Sequence, residues 1–332
     1  MRVLITQEKP GHTETLASFI QGFHSLGYDV FVCSPDAYSN LTFFSKQGLK
    51  FNTISEAETL QMLEDDQFHA IVFNSAHLTI EKENAPFSKA VLKAIVDKNF
   101  DPRRVFRLHH SQYSAKSVEG FVELGTSALL AATVEHIFTP YARIEGFDPD
   151  PESPISINLL GGAYEGAKIH RNLEKLVSIA EYIDSQRLDI SINWYLTKAD
   201  DSFRDTFSRF DCFSFREGRP SHEILKELSS HRSFMFTLLR QHSRYHKQSL
   251  TGTLPFSVNS GIPLMIDSTL SQIYGCTTEV LLERNTPEQI VSALSKVDAE
   301  AYADMMHALS AFRDRQVENN TKLLGLIVEK QI

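Results

Sequence analysis

Short apolar runs alternate with amphipathic helical stretches along almost the whole chain, and this alternation limits the fold more than any other feature. Val3 to Thr6 reads as a buried strand. The loop Gln7 to His12 follows, then a helix capped by Thr13 with Leu16, Phe19, Ile20 and Phe23 on one face. Gly27 ends that helix, and Val30 to Cys33 is a second strand. A helix joining two strands makes them parallel neighbours. The pattern then repeats. Ser55 to Asp65 is a helix that opens on a capping box, Ser55 with Glu58. Ala70 to Phe73 is a strand, Ala85 to Lys98 a helix, Arg104 to Leu108 a strand, Ser117 to Ala132 mostly helix and His136 to Phe138 a strand. Such repetition implies a parallel sheet covered on both faces.

The composition changes at Gly146 to Pro154, where Pro149, Pro151 and Pro154 interleave with Asp148, Asp150 and Glu152. That is linker chemistry. A second set of units follows. Strands are expected at Ile155 to Leu160, Ile190 to Tyr195, Cys212 to Phe215, Phe234 to Leu239 and Ile262 to Ile266. Helices are expected at Asn172 to Asp184, Ser221 to Ser229, from Thr286 onward, and at Ala299 to Leu309 and Phe312 to Val328. With 332 residues the chain is long for one core. The expected fold is α/β, with two doubly wound parallel-sheet domains over 1–150 and 151–311 facing a cleft. In open sheets of this kind ligands sit beyond the C-terminal ends of the strands.

A net charge of −9 argues against a nucleic-acid partner. Cys33, Cys212 and Cys276 are odd in number and far apart, which suggests neither a disulfide framework nor a zinc site, and the compartment expected is the reducing cytoplasm. The start MRVLIT is already a strand, and no signal peptide or membrane-spanning run is visible, which leaves peripheral membrane contact open. The histidines show no metal-ligand spacing, so no metal is expected. Oligomeric state has no signal in the sequence.

One stretch carries chemistry on its face. Tyr245 to Ile266 places Lys247, Ser249, Thr251, Gly252 and Thr253 before a short helix that admits Pro255 in its first turn and stops at Gly261. Free amides and the positive end of the helix dipole make such a start an anion site, although capped loops of this composition also occur with no ligand. At the first strand, Gly11 allows close backbone approach, and His12 could orient a hydroxyl or take a proton near neutral pH.

In this order the segments TQEKPGHTETLASFIQGFHSLGYDVFVCSP, GGAYEGAKIHRNLEKLVSIAEYI, SLTGTLPFSVNSGIPLMIDSTLSQIYG and EQIVSALSKVDAEAYADMMHALSAFRDR resemble the GT-B-fold glycosyltransferases, most closely the large retaining family numbered four. The resemblance implies a C-terminal helix, 312–332, that crosses back to the first domain. It implies an N-terminal acceptor domain and a C-terminal nucleotide-sugar domain. It also implies transfer of a hexose or acetamidohexose from a UDP- or GDP-sugar to a glycan, lipid or small acceptor, without metal or cofactor. The donor diphosphate would meet the amides of Gly252, Thr253 and Leu254, the hydroxyls of Ser249 and Thr251, and cations drawn from Lys168, Arg171, Arg240 and Lys247. Phe215 or Arg216 would contact the base, and His109 or His110 would face the sugar. The sequence departs from that family where its paired glutamates belong, with Gln248 and Phe256 at those places. The departure keeps a second reading open, a non-catalytic GT-B partner or binding protein. A third is a sugar-nucleotide 2-epimerase.

Overall fold

In the computed structural model the described residues are 1–8, 13–35, 40–74, 86–110, 118, 120–131, 134–164, 170–240, 252–276, 279–281 and 286–329. The chain divides into two compact units. Met1–Arg143 and Asp314–Ile332 belong to the first, Ile144–Lys247 and Thr251–Arg313 to the second.

The first unit runs β1 Arg2–Thr6, α1 Thr13–Ser25, β2 Asp29–Cys33, α2 Leu41–Lys46, β3 Asn52–Thr53, α3 Glu56–Glu64, β4 Ala70–Phe73, α4 Pro86–Asp97, β5 Val105–His109, β6 Val122–Gly125 and β7 His136–Ile137. Its seven strands pair in parallel in the order β3-β2-β1-β4-β5-β6-β7. β4, β5 and β6 are buried throughout, as a sheet covered on both faces requires. Local chemistry sets the boundaries. Ser55 and Glu58 close a capping box at the start of α3. Phe19 of α1 stacks on Phe138 with ring centroids 4.1 Å apart.

The second unit runs β8 Ile155–Leu160, α5 Leu173–Gln186, β9 Ile190–Leu196, α6 Asp201–Phe207, β10 Phe213–Glu217, α7 Ser221–Ser229, β11 Arg232–Phe236, α8 Thr253–Ser260, β12 Leu264–Ile266, α9 Ser268–Tyr274, β13 Glu279–Leu281, α10 Pro287–Ser295 and α11 Ala299–Glu329. Its six strands are also parallel, in the order β10-β9-β8-β11-β12-β13. Trp194, Phe203, Phe207 and Phe213 form its aromatic centre. α8 stops at Gly261, whose φ of 74° is left-handed and favours glycine.

The chain ends in one 31-residue helix, α11, where the sequence suggested two. No glycine or proline lies between Leu309 and Phe312 to break it. Its first part serves the second unit, where Tyr302 donates its hydroxyl to the Ser233 carbonyl at 2.8 Å. From Asp314 on it belongs to the first unit. There Asn320 accepts from the Thr139 amide at 3.0 Å and donates to the Thr139 carbonyl at 2.7 Å. A Cβ on Gly22 of α1 would lie 2.8 Å from Leu324, so the bare backbone permits this close crossing. The expected return of the C-terminal helix to the first domain is therefore present.

A second difference concerns Ser117 to Ala132, expected to be helical. Its described residues instead hold strand β6 and a short 3-10 turn, Ala128–Leu130. Glu123 explains the difference. On its own it reads as the polar face of a helix, but it pairs across the sheet with Arg107, its register partner on β5. Among the described residues no helix is long and apolar enough to cross a membrane.

Candidate functional site

In the second unit, cationic and aromatic groups meet at the C-terminal edge of the sheet. Arg171 stands just before Asn172, whose side chain caps α5. Its Nη2 donates to the Leu160 carbonyl at the end of β8, at 2.8 Å. Its guanidinium carbon lies 5.1 Å from the centre of the Trp194 ring of β9, within cation–π range. Trp194 in turn donates its Nε1–H to the Gly161 carbonyl at 2.8 Å. Arg240, exposed beyond β11, donates Nε to the Arg171 carbonyl at 3.0 Å, and its amide donates to the His170 carbonyl at 2.9 Å. The guanidinium is thus held between the Leu160 carbonyl and the Trp194 ring, while Arg240 ties down the backbone that carries it. Such a guanidinium loses little further freedom when an anion arrives, and its planar fork suits phosphate oxygens.

α8 begins at the same edge, because β11 leads into it. Its N-cap residue Gly252 has φ −66° and ψ −22°, and among the described residues no side chain caps the helix. The first intrahelical bond runs from the Phe256 amide to the Gly252 carbonyl at 3.2 Å. Pro255 has no N–H, so Thr253 and Leu254 carry amides that the helix itself leaves without an acceptor. Leu254 is fully buried and offers only its backbone. Among the described residues, a Cβ on Gly252 would meet nothing within 4 Å. Phe256 is half-buried on α8. Lys168, Lys247, Gln248, Ser249 and Thr251 lie outside the described residues.

Phe215 and Arg216 lie inside β10, which runs beyond the end the sequence suggested. Phe215 stacks on Trp194 at 6.1 Å and meets Phe213 edge-on at 5.1 Å, with the Arg204 guanidinium 5.9 Å above its ring. Arg216 donates Nε to Asn193 Oδ1 at 3.2 Å. Asn193 is one rung of a buried polar ladder that continues through Asn158 and Ser156 to Ser233. Both residues therefore have partners within the unit. Arg240 follows β11 at a distance, because that strand ends at Phe236.

In the first unit, His109 ends β5 and His110 follows it; both are buried. Gly11 and His12 lie outside the described residues. His109 Nε2 sits 2.5 Å from Glu123 Oε2, while Arg107 Nη1 and the Val118 amide donate to Oε1, each at 3.0 Å. Arg107 and His109 are two apart on one strand and so share a face. The three side chains are 1 %, 1 % and 7 % exposed for Arg107, His109 and Glu123. Burial alone would raise the Glu123 carboxyl pKa. The hydrogen bonds from His109 and Val118 and the charge of Arg107 outweigh it and hold the group below the ordinary glutamate range. His109 Nδ1, also buried, has no partner among the described residues. Sequence reasoning passed over Arg107 and Glu123. The available signal was a charge inside each of two apolar strands, VFRLH and VELG.

No protein-family model matches the chain, and no curated protein matches it in sequence. Solved structures do match. An α-glucosyltransferase crystallised with UDP and a 13-mer DNA containing an HMU base aligns at a TM-score of 0.67 and 12% identity, over 99% of both chains. HepE of Anabaena, crystallised with UDP and glucose, aligns at 0.61 and 10% identity, over 99% of this chain and 100% of that one. A structure assigned to a UDP-N-acetylglucosamine 2-epimerase of Listeria monocytogenes aligns at 0.51 and 9% identity, over 93% and 90%. These likenesses are at the level of fold: the chain shares the GT-B fold of these structures.

Proposed function

We propose that the protein is a glycosyltransferase that takes its sugar from a nucleoside diphosphate sugar, with the diphosphate bound at the C-terminal edge of the second unit's sheet. The observation that carries this reading is Arg171, stacked on Trp194 and tied to Leu160 and Arg240, at the edge where helix α8 begins. In the reaction the bond between the anomeric carbon and the β-phosphate oxygen breaks, and an acceptor hydroxyl forms the new bond and gives up its proton. The charge left on the nucleoside diphosphate is what the protein must stabilise. Fixed donors aimed at that charge act without reorganising, and a guanidinium with a helix N-terminus supplies them without a metal. Ser249, Thr251, Lys168 and Lys247 are proposed to add to this phosphate site from the flanking loops, and Phe215 or Arg216 to contact the base. UDP or GDP would be the released nucleotide, and the acceptor a glycan or lipid reached in the cytoplasm.

A second reading is a GT-B chain that binds nucleotide sugars without turning them over. The motivating observation is the pair Gln248 and Phe256, where the resembling family carries acids. One experiment separates these readings. The protein is heated with a panel of UDP-, GDP- and ADP-sugars and then assayed for nucleotide release with and without candidate acceptors. Stabilisation by one donor, with release stimulated by an acceptor, is expected. Stabilisation without release favours the binding protein, interconversion of the donor's C2 epimers the epimerase, and no stabilisation by any donor overturns the proposal.

A further inference from the structure

The loop that carries Arg171 begins with two consecutive glycines, and each makes room for one side chain. A Cβ on Gly161 would lie 3.1 Å from Arg171 Nη2, and a Cβ on Gly162 would lie 2.2 Å from Tyr164 Cε1. The guanidinium and the phenol ring are thus both laid against bare backbone at the end of β8. Gly161 also needs its glycine for its φ of +90°.

Tyr164 is 53 % exposed, one of only five exposed large hydrophobic residues among those described. The backbone that leads into it is held by hydrogen bonds. The Gly161 amide donates to the Tyr195 carbonyl at 3.0 Å, and the Gly161 carbonyl accepts from Trp194. Ala163, fully buried, forms a parallel bridge with Ala199 and accepts from the Asp200 amide at 2.9 Å. One face of the ring rests on Gly162, and much of the remaining ring is open to solvent. An aromatic ring laid on bare backbone at the ligand edge of a sheet, at the end of the strand whose last carbonyl holds the Arg171 guanidinium, is a stacking platform. Ring stacking is tolerant of the ring's identity and contributes through contact rather than charge.

We infer that Tyr164 stacks against a ring of the nucleotide sugar, the base or the hexose, whose phosphates Arg171 holds. The inference rests on the phosphate site proposed above. It adds a specificity residue that the phosphate contacts alone do not supply: phosphates are common to all nucleotides, and a ring face distinguishes them from inorganic anions.

The test uses the sole tryptophan, Trp194, as the reporter, since it lies under the Arg171 guanidinium. The intact protein, Tyr164→Ala, Tyr164→Phe and Gly162→Ala are titrated with inorganic pyrophosphate, with UDP and GDP, and with UDP-glucose and GDP-mannose, and each affinity is confirmed by calorimetry. Tyr164→Ala is expected to weaken the ring-bearing ligand by about 5- to 150-fold, the loss that corresponds to one stacked ring. Pyrophosphate affinity should stay unchanged. Tyr164→Phe should keep wild-type affinity. Gly162→Ala should mimic Tyr164→Ala, because its methyl displaces the ring. A loss already present with the bare diphosphates identifies the base as the stacked ring, and a loss confined to the sugar nucleotides identifies the hexose. Equal losses for pyrophosphate and nucleotides, or no loss for any ligand, overturn the inference. Failure of the unmutated protein to bind any nucleotide sinks instead the phosphate site on which the inference rests.

Discussion

Replacing Glu123 with Ala puts a number on the buried ion network of the first unit. The Glu123 carboxylate accepts three hydrogen bonds, from Arg107, His109 and the Val118 amide. Removing it takes away the carboxylate that the Arg107 guanidinium, 1 % exposed, pairs with at 3.0 Å. Breaking a buried pair from one side costs about 3–5 kcal/mol. With a urea slope of roughly 1–3 kcal/mol per molar, the unfolding midpoint should fall by on the order of 1–5 M. Far-UV circular dichroism across a urea series reads this directly. Two controls separate charge from volume. Glu123→Gln keeps the volume and one acceptor oxygen, so it should fall between the wild type and Glu123→Ala. Arg107→Leu with Glu123→Leu removes both charges and should be less destabilised than Glu123→Ala alone, because no unpaired charge remains. The effect also has a pH sign. Because Glu123 titrates below the ordinary glutamate range, its contribution is complete above that range and is lost as pH falls through its lowered folded value. The gap between wild type and Glu123→Ala should therefore be full at pH 7 and shrink in acid. A Glu123→Ala midpoint within experimental error of wild type at pH 7, or a double variant more destabilised than Glu123→Ala, would refute the reasoning.

Arg171→Ala should weaken nucleoside diphosphate binding by about 10- to 150-fold, the loss of charge-assisted hydrogen bonds, and Arg171→Lys should recover only part of it because a lysine lacks the planar fork; calorimetry measures both. Gly252→Phe should leave the melting temperature within a few degrees of wild type, since Gly252 has ordinary helical angles and its Cβ position meets nothing within 4 Å among the described residues, yet it should abolish nucleotide binding by filling the approach to α8. Gly22→Val should destabilise the first unit by about 1–3 kcal/mol in thermal or urea unfolding, because its side chain must push Leu324 of α11 aside.

The parts of the fold legible in the sequence are those that local chemistry decides. Val3 to Thr6 and Ala70 to Phe73 are apolar enough to be buried on both faces, and they are adjacent strands of the first sheet. Ser55 with Glu58, and Gly261, mark helix ends because their side chain or backbone acts within one turn. What stayed hidden depends on partners distant in sequence. Glu123 becomes a strand residue only through Arg107 and His109 on β5. β3 is two exposed residues, Asn52 and Thr53, with no apolar alternation to announce it. At the ligand edge, Arg171 was readable as a candidate from its place before Asn172. The Trp194 ring beneath it was not, since a lone tryptophan in a strand reads equally well as core. Tyr164 was passed over for the same reason: only the fixed loop of Gly161 to Ala163 separates it from any surface tyrosine.

The central claim is that the second unit binds a nucleoside diphosphate at Arg171 and the start of α8. A crystal structure of the protein soaked with the nucleotide that stabilises it most tests this most directly. The expected result is a phosphate within hydrogen-bond distance of the Arg171 guanidinium, with the amides of Thr253 and Leu254 facing the same diphosphate. A diphosphate bound at any other place, with the Arg171 guanidinium still closed on Leu160 and Trp194 alone, would contradict it.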